Sequence, residues 1–237
     1  MIGNLFNLCQ TCFFFVQHRR MSLTIFDLDN TLISDDSDHL WGQFLVEQKL
    51  VNSDEYAKAN TQFYNDYCQG KLNIKEYLNF ALSFLAEHPL EKLHQWRQQF
   101  IDEKIRPLVL PAAQQLVEKH REQGDELIVI TATNRFVTEP IVELFGIPNM
   151  LATEPELLNG CYTGKYVAEP CYQHGKVTRL ERWLKENNQN LTNSYFYSDS
   201  HNDIPLLEQV SHPVAVDPDK QLEQHAGDKG WSIISLR

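Results

Sequence analysis

Short apolar runs that end in polar residues recur along the chain and predict the strands of a buried sheet. Three of them, at residues 23–26, 127–130 and 195–197, are mostly apolar and too short for helices, which is typical of strands buried in a parallel sheet. Weaker runs predict three more strands, at residues 150–153, 213–216 and 231–235. Because helical patterns separate these runs, we predict an α/β fold with a mostly parallel, doubly wound sheet.

Between the first two strong runs the pattern changes to the spacing of helices. Trp41, Phe44 and Leu45 stand at i, i+3 and i+4, and thus share one helix face. Asn73 and Glu76 form a capping-box-like start for another helix. We therefore predict two parts: a helical domain over residues 33–110, inserted into an α/β core over residues 21–32 and 111–237.

Two turn signals follow the predicted strand at residues 150–153. Asn159-Gly160 and Thr163-Gly164 stand among Leu, Tyr and Val residues. Asn-Gly is favoured in two-residue hairpin loops, where both positions need positive φ. We predict a hairpin in this segment, with turns at both signals.

The first twenty residues look foreign to the fold. Residues 8–16 are apolar and aromatic but far too short to span a bilayer, and the basic residues follow the apolar run. Met21 stands directly before the first strand. We expect translation to start at Met21 and residues 1–20 to be disordered or an upstream-start artefact. The alternative is a peripheral membrane anchor.

Charge and cysteine content narrow the class of protein. The 237 residues carry a net charge of −11, with a pI near 5.2, which argues against a nucleic-acid binder. The five cysteines give no disulfide framework, so we expect a reducing, cytoplasmic setting and no stable membrane association. Cys9 and Cys12 form a CxxC without a second pair, and we interpret it as accidental.

Candidate chemistry stands where the predicted strands end. Asp27 and Asp29 follow the first strand, and ligands of open α/β sheets bind at the carboxyl ends of strands. Two acids held there are costly unless a cation or substrate uses them, and the hard cation Mg²⁺ prefers oxygen ligands. The alternative is an ordinary solvated turn.

Later segments repeat this pattern of polar residues at strand ends and helix starts. Thr131 ends the second strand, Lys176 begins an amphipathic helix, and Asp199 and Asp203 follow a third strand. A lysine at a helix N-terminus opposes the dipole and suggests a counter-anion. Each of these residues also has an ordinary alternative interpretation. Thr131 and Asp203 would then cap helices, and Lys176 would be a surface lysine.

The order of these residues along the chain resembles the motif order of a known protein family. The series reads strand-Asp-x-Asp-x-Thr, strand-Thr, Lys at a helix start, and strand-Asp-x-x-x-Asp. In order and chemistry it resembles the four motifs of the haloacid dehalogenase superfamily of phosphohydrolases. The resemblance implies a Rossmann-like core, and a helical insert that acts as a cap closing over the active site.

The resemblance also implies roles in a reaction on a small phosphorylated metabolite. Asp27 would be the nucleophile that forms an aspartyl-phosphate. Asp29 would protonate the leaving alcohol and then activate water. Thr131 and Lys176 would bind phosphate oxygens, with further donors from the backbone amides of Asn30 and Thr131.

A magnesium site is implied in the same way. Asp27, the backbone carbonyl of Asp29, Asp199 and waters would hold Mg²⁺. Asp203 would support that shell from behind.

The insert is similar to that of the phosphoserine-phosphatase-like branch, with two differences at the substrate. Asp36 falls where that branch carries a Glu that meets the substrate amine. The Arg that pairs with the substrate carboxylate aligns with Ala81, which cannot make this pair. Phosphoserine is therefore disfavoured.

Residues 21–237 resemble a bacterial subgroup often associated with histidinol-phosphate phosphatase activity. The stretches that carry this likeness are residues 36–41, 130–137, 198–203 and 213–219. Histidinol phosphate has an amine and an imidazole but no carboxylate, which suits the acids Asp35, Asp36 and Asp38 and the aromatic Trp41. The alternative is that the acids cap a helix and that Trp41 belongs to the core.

Two further functions stay open. A phosphotransferase would pass the phosphoryl group to an acceptor other than water. A non-enzymatic phospho-acceptor switch would also use acids, a threonine and a lysine, but it needs neither Asp29 nor a large cap. The sequence does not indicate the oligomeric state.

Overall fold

A seven-stranded sheet organises residues 22–237, the part of the chain that the computed structural model describes. Its strands are β1 (Leu23–Phe26), β2 (Glu126–Asn134), β3 (Asn149–Leu158), β4 (Cys161–Val167), β5 (Tyr195–Ser198), β6 (His212–Val216) and β7 (Ser232–Ile234). Their order across the sheet is β4-β3-β2-β1-β5-β6-β7. The predictions for residues 1–20, including the Cys9–Cys12 pair, lie outside the described residues.

The sheet is parallel at each pairing except that of β3 with β4. The first strand lies at its centre, with Ile25 level with Ile128 of β2 and with Phe196 of β5. The predicted α/β class and the mostly parallel sheet are thus confirmed. Since β1, β2 and β5 are neighbours and parallel, their carboxyl ends meet at one edge.

Helices cover both faces of the sheet, as a doubly wound fold requires. They are α1 (Ser37–Glu47), α2 (Ser53–Cys68), α3 (Ile74–Ala86), α4 (Leu90–Phe100), α5 (Pro111–Glu122), α6 (Arg135–Glu143), α7 (His174–Glu186), α8 (Ile204–Leu207) and α9 (Lys220–Lys229). A π-helical turn (Ile101–Ile105) and two 3₁₀ turns (Arg106–Leu108 and His201–Asp203) complete the helical segments.

Alternating side chains of the strands build two separate cores. Phe26 and Val129 belong to the core under α1 and α3–α6. Ile25 and Ile128 belong to the core under α7–α9. The central strands β1 and β2 are therefore buried on both faces, which explains their unbroken apolar runs in the sequence.

The helices between β1 and β2 begin where their capping residues stand. The Asn73 side chain accepts a hydrogen bond from the backbone N–H of Glu76 (3.4 Å), as the capping-box pattern predicted. Trp41 is buried against Phe44, Phe84 and Phe100. Trp41 is thus a core residue. This is the alternative interpretation given above, in place of a role in substrate binding.

The predicted hairpin is formed by β3 and β4, with one correction. Asn159 and Gly160 make its two-residue turn, both with positive φ (52° and 79°). Thr163 and Gly164 do not turn the chain: they lie inside β4. Gly164 has a φ of 78°, which favours glycine, at an irregularity in the pairing of β4 with β3, and a Cβ there would also lie 3.3 Å from the Ala86 Cβ of α3.

None of the helices in residues 22–237 is both long and apolar enough to cross a membrane.

Candidate active site

The carboxyl ends of β1 and β5 bring two of the predicted acids together. The backbone N–H of Asp27 donates to the carbonyl of Tyr197 (2.9 Å), so the ladder of the sheet extends to the first acid. Thr31 then joins the two loops: its hydroxyl accepts from the N–H of Asp199 (3.1 Å) and donates to the Asp199 carboxylate (3.3 Å). Thr31 thereby fixes Asp199 beside the loop that carries Asp27.

Lys176 lies between two of these acids and is buried. Its Nζ is 2.7 Å from Asp27 Oδ1 and 2.8 Å from Asp203 Oδ2, and 2% of the residue is exposed. Burial alone would lower the pKa of Lys176, but the carboxylates of Asp203 and Asp27 outweigh burial and hold its pKa above the usual range. The lysine therefore stays charged in the folded protein.

The start of α7 is shaped to deliver this lysine. Gly175 precedes Lys176, and a Cβ at this position would overlap the backbone carbonyl oxygen of Pro170. Only glycine permits so close an approach. The approach places the first turn of α7 against the preceding loop, with Lys176 directed at the ends of β1 and β5.

Asp203 directs its carboxylate into the site and does not cap a helix. It stands at the N-terminus of α8 but makes no side-chain capping bond there. Instead it accepts hydrogen bonds from Lys176 and from the Ser198 hydroxyl (2.7 Å). The helix-cap interpretation of Asp203 is thus wrong, and Ser198 is a supporting residue that the sequence patterns did not single out.

Asp29 is held by donors from two different elements. Its Oδ1 accepts from the backbone N–H of Ser37 at the start of α1 (2.7 Å). Its Oδ2 accepts from the hydroxyl of Thr133 (2.9 Å) and, more weakly, from that of Thr131 (3.5 Å). Burial raises the pKa of Asp29, while the bonds from Ser37 and Thr133 oppose that rise.

The second strand runs past the point where its apolar pattern ends. Thr131, predicted as the last residue of this strand, lies inside β2, which continues to Asn134. Thr131 and Thr133 are buried and both contact Asp29. Thr133 was missed because a polar residue three positions beyond an apolar run gives no strand signal.

The buried acids outnumber the cations around them. Among residues 22–237, the buried Asp27, Asp29 and Asp203 and the partly exposed Asp199 lie around one lysine, Lys176. Burial raises the pKa of Asp27 to about 7, with Lys176 opposing and Asp203 adding to the rise. Burial and the charges of Asp27 and Asp203 also raise the pKa of Asp199 well above its usual value. Such an excess of negative charge favours a bound cation.

The donor set fits the predicted Mg²⁺ in chemistry. The buried Asp27 and the partly exposed Asp199 offer carboxylate oxygens, the ligands that hard divalent cations prefer. Among residues 22–237, no three acidic, histidine or cysteine side chains converge as a metal site. Backbone oxygens and waters would have to complete the shell, which suits Mg²⁺ because this ion keeps several waters.

A cavity opens above Asp27 and Asp29, between the sheet edge and helices α1 to α3. Its empty volume is about 540 Å³, including its open mouth. The lining residues are Asp27, Asp29, Asp36, Asp38, His39, Asn60, Phe63, Tyr64, Tyr67, Leu72, Ile74, Tyr77, Thr131, Ala132 and Thr133. This lining includes four carboxylates and neither a lysine nor an arginine.

Asp36 and Asp38 both face this cavity from the start of α1. Asp36 is the N-cap of α1 and accepts from the backbone N–H of His39 (2.7 Å). Asp38 accepts from the hydroxyl of Tyr77 on α3. The capping interpretation is therefore correct for Asp36, and the same carboxylate also lies at the cavity wall.

Asn30 is not brought to the cavity. Its backbone N–H donates to the carbonyl of Asp35 (3.2 Å), and its side-chain oxygen accepts from Arg237 (3.3 Å). The Asn30 amide thus bonds within its own loop, where Asn30 has a positive φ (56°), and its donation to a substrate stays a prediction.

The aromatic residues of the cavity were missed from sequence. Phe63, Tyr64 and Tyr67 come from α2, and Tyr77 comes from α3. Their helical spacing was visible, but an aromatic helix face is also what a core predicts. Only the packing of α2 over the sheet edge distinguishes these two cases.

Ala81 and Lys71 lie outside the cavity lining. Ala81 stands on α3, and the Lys71 ammonium donates to Gln69 (3.1 Å) at the surface. The phosphoserine-phosphatase-like branch has an Arg at the position of Ala81. In the described cavity lining, neither a lysine nor another arginine takes its place.

Comparisons with known proteins show the family of this chain. The family model of haloacid dehalogenase-like hydrolases matches residues 24–208. A histidinol-phosphatase of Neisseria meningitidis is 45% identical over 220 residues, covering 91% of this chain and 99% of that protein. A phosphoserine phosphatase of Mycobacterium tuberculosis is 28% identical over 222 residues, covering 90% of this chain and 70% of that protein.

Solved structures share the fold. A protein of unknown function from Bordetella pertussis superposes with a TM-score of 0.86 at 38% identity, covering 92% of this chain and 99% of that one. A substrate-bound phosphoserine phosphatase superposes with a TM-score of 0.68 at 18% identity, covering 92% and 94%. The second likeness concerns the fold alone.

Fold, site and comparisons together define a hydrolase of the α/β class. The chain belongs to the haloacid dehalogenase-like hydrolases. Within that family it is a phosphatase, as its 45% identical relative is.

Proposed function

We propose that the protein is a Mg²⁺-dependent phosphomonoesterase that uses Asp27 as its nucleophile. The observation that carries this proposal is that Asp27 lines the cavity, with the buried Lys176 ammonium 2.7 Å from its carboxylate. A carboxylate at the end of an open cavity can reach a phosphorus atom, and the lysine offsets the charge that develops on phosphate oxygens.

Two carboxylates divide the reaction between them. An oxygen of Asp27 attacks phosphorus, the bond from phosphorus to the ester oxygen breaks, and protonated Asp29 gives its proton to the leaving alcohol. Asp29 then takes a proton from water, which attacks the aspartyl-phosphate, releases inorganic phosphate and restores Asp27. Thr131 and Thr133 position Asp29 in both steps through their hydroxyls.

Asp27, the backbone carbonyl of Asp29, and Asp199 would hold Mg²⁺, with Asp203 behind them. When bound, this ion neutralises charge on the phosphoryl oxygens. Thr31 keeps Asp199 in place by its two hydrogen bonds.

The helical insert over residues 33–110 acts as a cap in this proposal. Helices α1 to α3 supply most of the cavity wall. The end of α2 also touches the core, where the Asn202 side-chain amide donates to the Tyr67 carbonyl (3.2 Å). Asn202 lies between Asp199 and Asp203 in the sequence. This hydrogen bond therefore links the cap to the segment that carries these two acids.

Histidinol phosphate is the leading substrate. It is a phosphomonoester with an amine and an imidazole but no carboxylate, and the described cavity lining has aromatic and acidic side chains and no lysine or arginine. The 45% identical relative named histidinol-phosphatase favours the same substrate. Transfer to another acceptor, and a phospho-acceptor switch without turnover, are the competing functions.

The first test is phosphate release from histidinol phosphate with and without Mg²⁺. We expect turnover that EDTA abolishes, and a loss of at least about 10³-fold in kcat for Asp27→Asn, which lacks the nucleophile. Asp228→Asn, with the same charge change on the exposed surface of α9, should match the wild type.

Three outcomes would overturn parts of this proposal. Full activity of Asp27→Asn removes the nucleophile assignment. A single burst of phosphorylated protein without turnover indicates a switch. Phosphate release that requires an added alcohol acceptor indicates a transferase.

A further inference from the structure

Asp38 lies in the cavity but takes no part in the chemistry proposed above. It comes from the first turn of α1, and its Oδ2 accepts a hydrogen bond from the Tyr77 hydroxyl of α3. Within the described part of the chain no lysine, arginine or histidine forms an ion pair with it. Resting on the proposed function, we propose that Asp38 is a specificity-determining residue that binds the cationic amine of the substrate.

The environment of Asp38 is one that a cation would improve. Burial raises the pKa of Asp38 to about 8, and the charge of Asp29 adds to the rise. The Asp38 side chain is partly shielded from water, and a shielded carboxylate without a counter-charge is costly. An ammonium group would supply this charge and could donate to the Asp38 oxygen that Tyr77 leaves free.

Asp36 is less free to play this part. One of its carboxylate oxygens, Oδ1, serves as the cap of α1 by accepting from the N–H of His39. Asp38 is instead held between two helices of the insert, since Tyr77 belongs to α3. Its position therefore depends on the packing of α1 against α3, which the phosphate end of the cavity does not require.

The remaining wall suits a flat, partly cationic group. Phe63, Tyr64 and Tyr67 line it from α2, and the Tyr64 ring stacks on His39 with centroids 4.4 Å apart. Aromatic faces attract cations and stack with planar rings. The cavity thus combines a phosphate end at Asp27 with an amine end at Asp38.

This arrangement defines a substrate class. A phosphate ester of an amino alcohol places a cation at the amine end. A carboxylate on the same carbon would meet Asp36 and Asp38 with no lysine or arginine in the described lining to receive it. The cavity therefore selects amino-alcohol phosphates over amino-acid phosphates.

The test compares four substrates on two variants of the full chain with Mg²⁺, and a third variant, Asp38→Glu, keeps the charge as a rescue. The substrates are histidinol phosphate, phosphoethanolamine, phosphoserine and phenyl phosphate. The variants are Asp38→Asn, which keeps the size and the acceptor for Tyr77, and Asp54→Asn, which makes the same charge change at an exposed position of α2. Thermal unfolding of each variant checks that it is folded.

The readout is the ratio of kcat/KM for histidinol phosphate to kcat/KM for phenyl phosphate, which has no amine. We expect Asp38→Asn to lower this ratio about 10- to 100-fold, the size of a lost charged hydrogen bond, mainly through KM. Asp54→Asn should leave the ratio within about twofold. Asp38→Glu should restore part of it.

The preferred class of substrate is tested by comparing kcat/KM values of the wild type alone. Phosphoethanolamine and phosphoserine differ only by a carboxylate, and we expect phosphoethanolamine to be preferred. Preference for phosphoserine, or an unchanged ratio in Asp38→Asn, overturns this inference. In either case, turnover of phenyl phosphate leaves the proposed function intact. A wild type that cleaves none of the four substrates overturns the proposed function itself.

Discussion

At the scale of single residues, the buried lysine sets the charge balance of the site. Lys176 is paired with Asp27 and Asp203 at 2.7 and 2.8 Å, and each of the three is at least 95% buried. A buried ion pair is not by itself a large source of stability, but removing one partner leaves the others uncompensated. The lysine is therefore needed for folding as well as for the proposed reaction.

Replacement of this lysine should be costly. Lys176→Met keeps the volume but leaves Asp27 and Asp203 without a cation, and we expect it to lower the free energy of unfolding by about 3–5 kcal/mol. Lys185→Met, on the same helix but exposed, should change it by less than about 0.5 kcal/mol. Urea unfolding at pH 8 without metal measures both, and equal losses would contradict the ion-pair account.

The sequence identified most of these residues but not their partners. Asp27, Lys176 and Asp199 stand out because each follows or begins a clear element. Ser198 and Thr133 gave no such signal, since a hydroxyl near a strand end is common and becomes a supporting donor only when another chain segment lies beside it.

At the scale of elements, the glycine before Lys176 decides how α7 begins. Gly175 lies so close to the Pro170 carbonyl that no side chain fits without a shift of the helix. The shift would move the lysine that follows, so the helix start and the site are linked.

A matched pair of helix glycines tests this link. Gly175→Ala should destabilise the protein by about 1–3 kcal/mol through crowding and lower the phosphatase activity at least tenfold. Gly227→Ala, in α9 with open space around it, should instead stabilise by about 0.5–1 kcal/mol, because alanine favours the helix. Thermal unfolding and phosphate release measure the pair. Similar behaviour of the two variants would sink the close-approach explanation.

Helices, strands and turns with strong local sequence signals were predicted well, but the residues at which they end were not. The Asn159-Gly160 turn is where the sequence indicates it, since its dihedral angles are local preferences. Gly164 misled the prediction, because its positive φ lies at an irregularity in the pairing of β4 with β3 and not in a turn. The last residues of β2 are polar and became a strand through pairing with β3.

At the scale of the whole molecule, the acidic balance makes cation effects hard to interpret without a control. The net charge is −11, so any salt stabilises the folded state by screening repulsion. A specific ion must do more than this, because it binds the folded state at Asp27 and Asp199 and shifts unfolding by mass action.

Magnesium should therefore raise the melting temperature beyond the effect of screening. We expect millimolar Mg²⁺ to add about 3–8 °C over NaCl at the same ionic strength. Asp199→Asn should lose this extra shift, whereas Asp228→Asn should keep it. Differential scanning calorimetry gives the comparison, and equal shifts from the two salts would argue against a metal site at these acids.

The sequence alone determined the fold class, the order of the strands along the chain and the acids at their ends. These features depend on apolar periodicity and on local chemistry, which neighbouring residues carry by themselves. Tertiary structure decided which side chains meet: that Lys176 contacts Asp27 across 149 positions, that Asn30 turns away from the cavity, and that Trp41 belongs to the core while the aromatic residues of α2 face the cavity. The reason is physical, because such contacts depend on how helices pack over the sheet, and packing is set by the shapes of residues far apart in sequence.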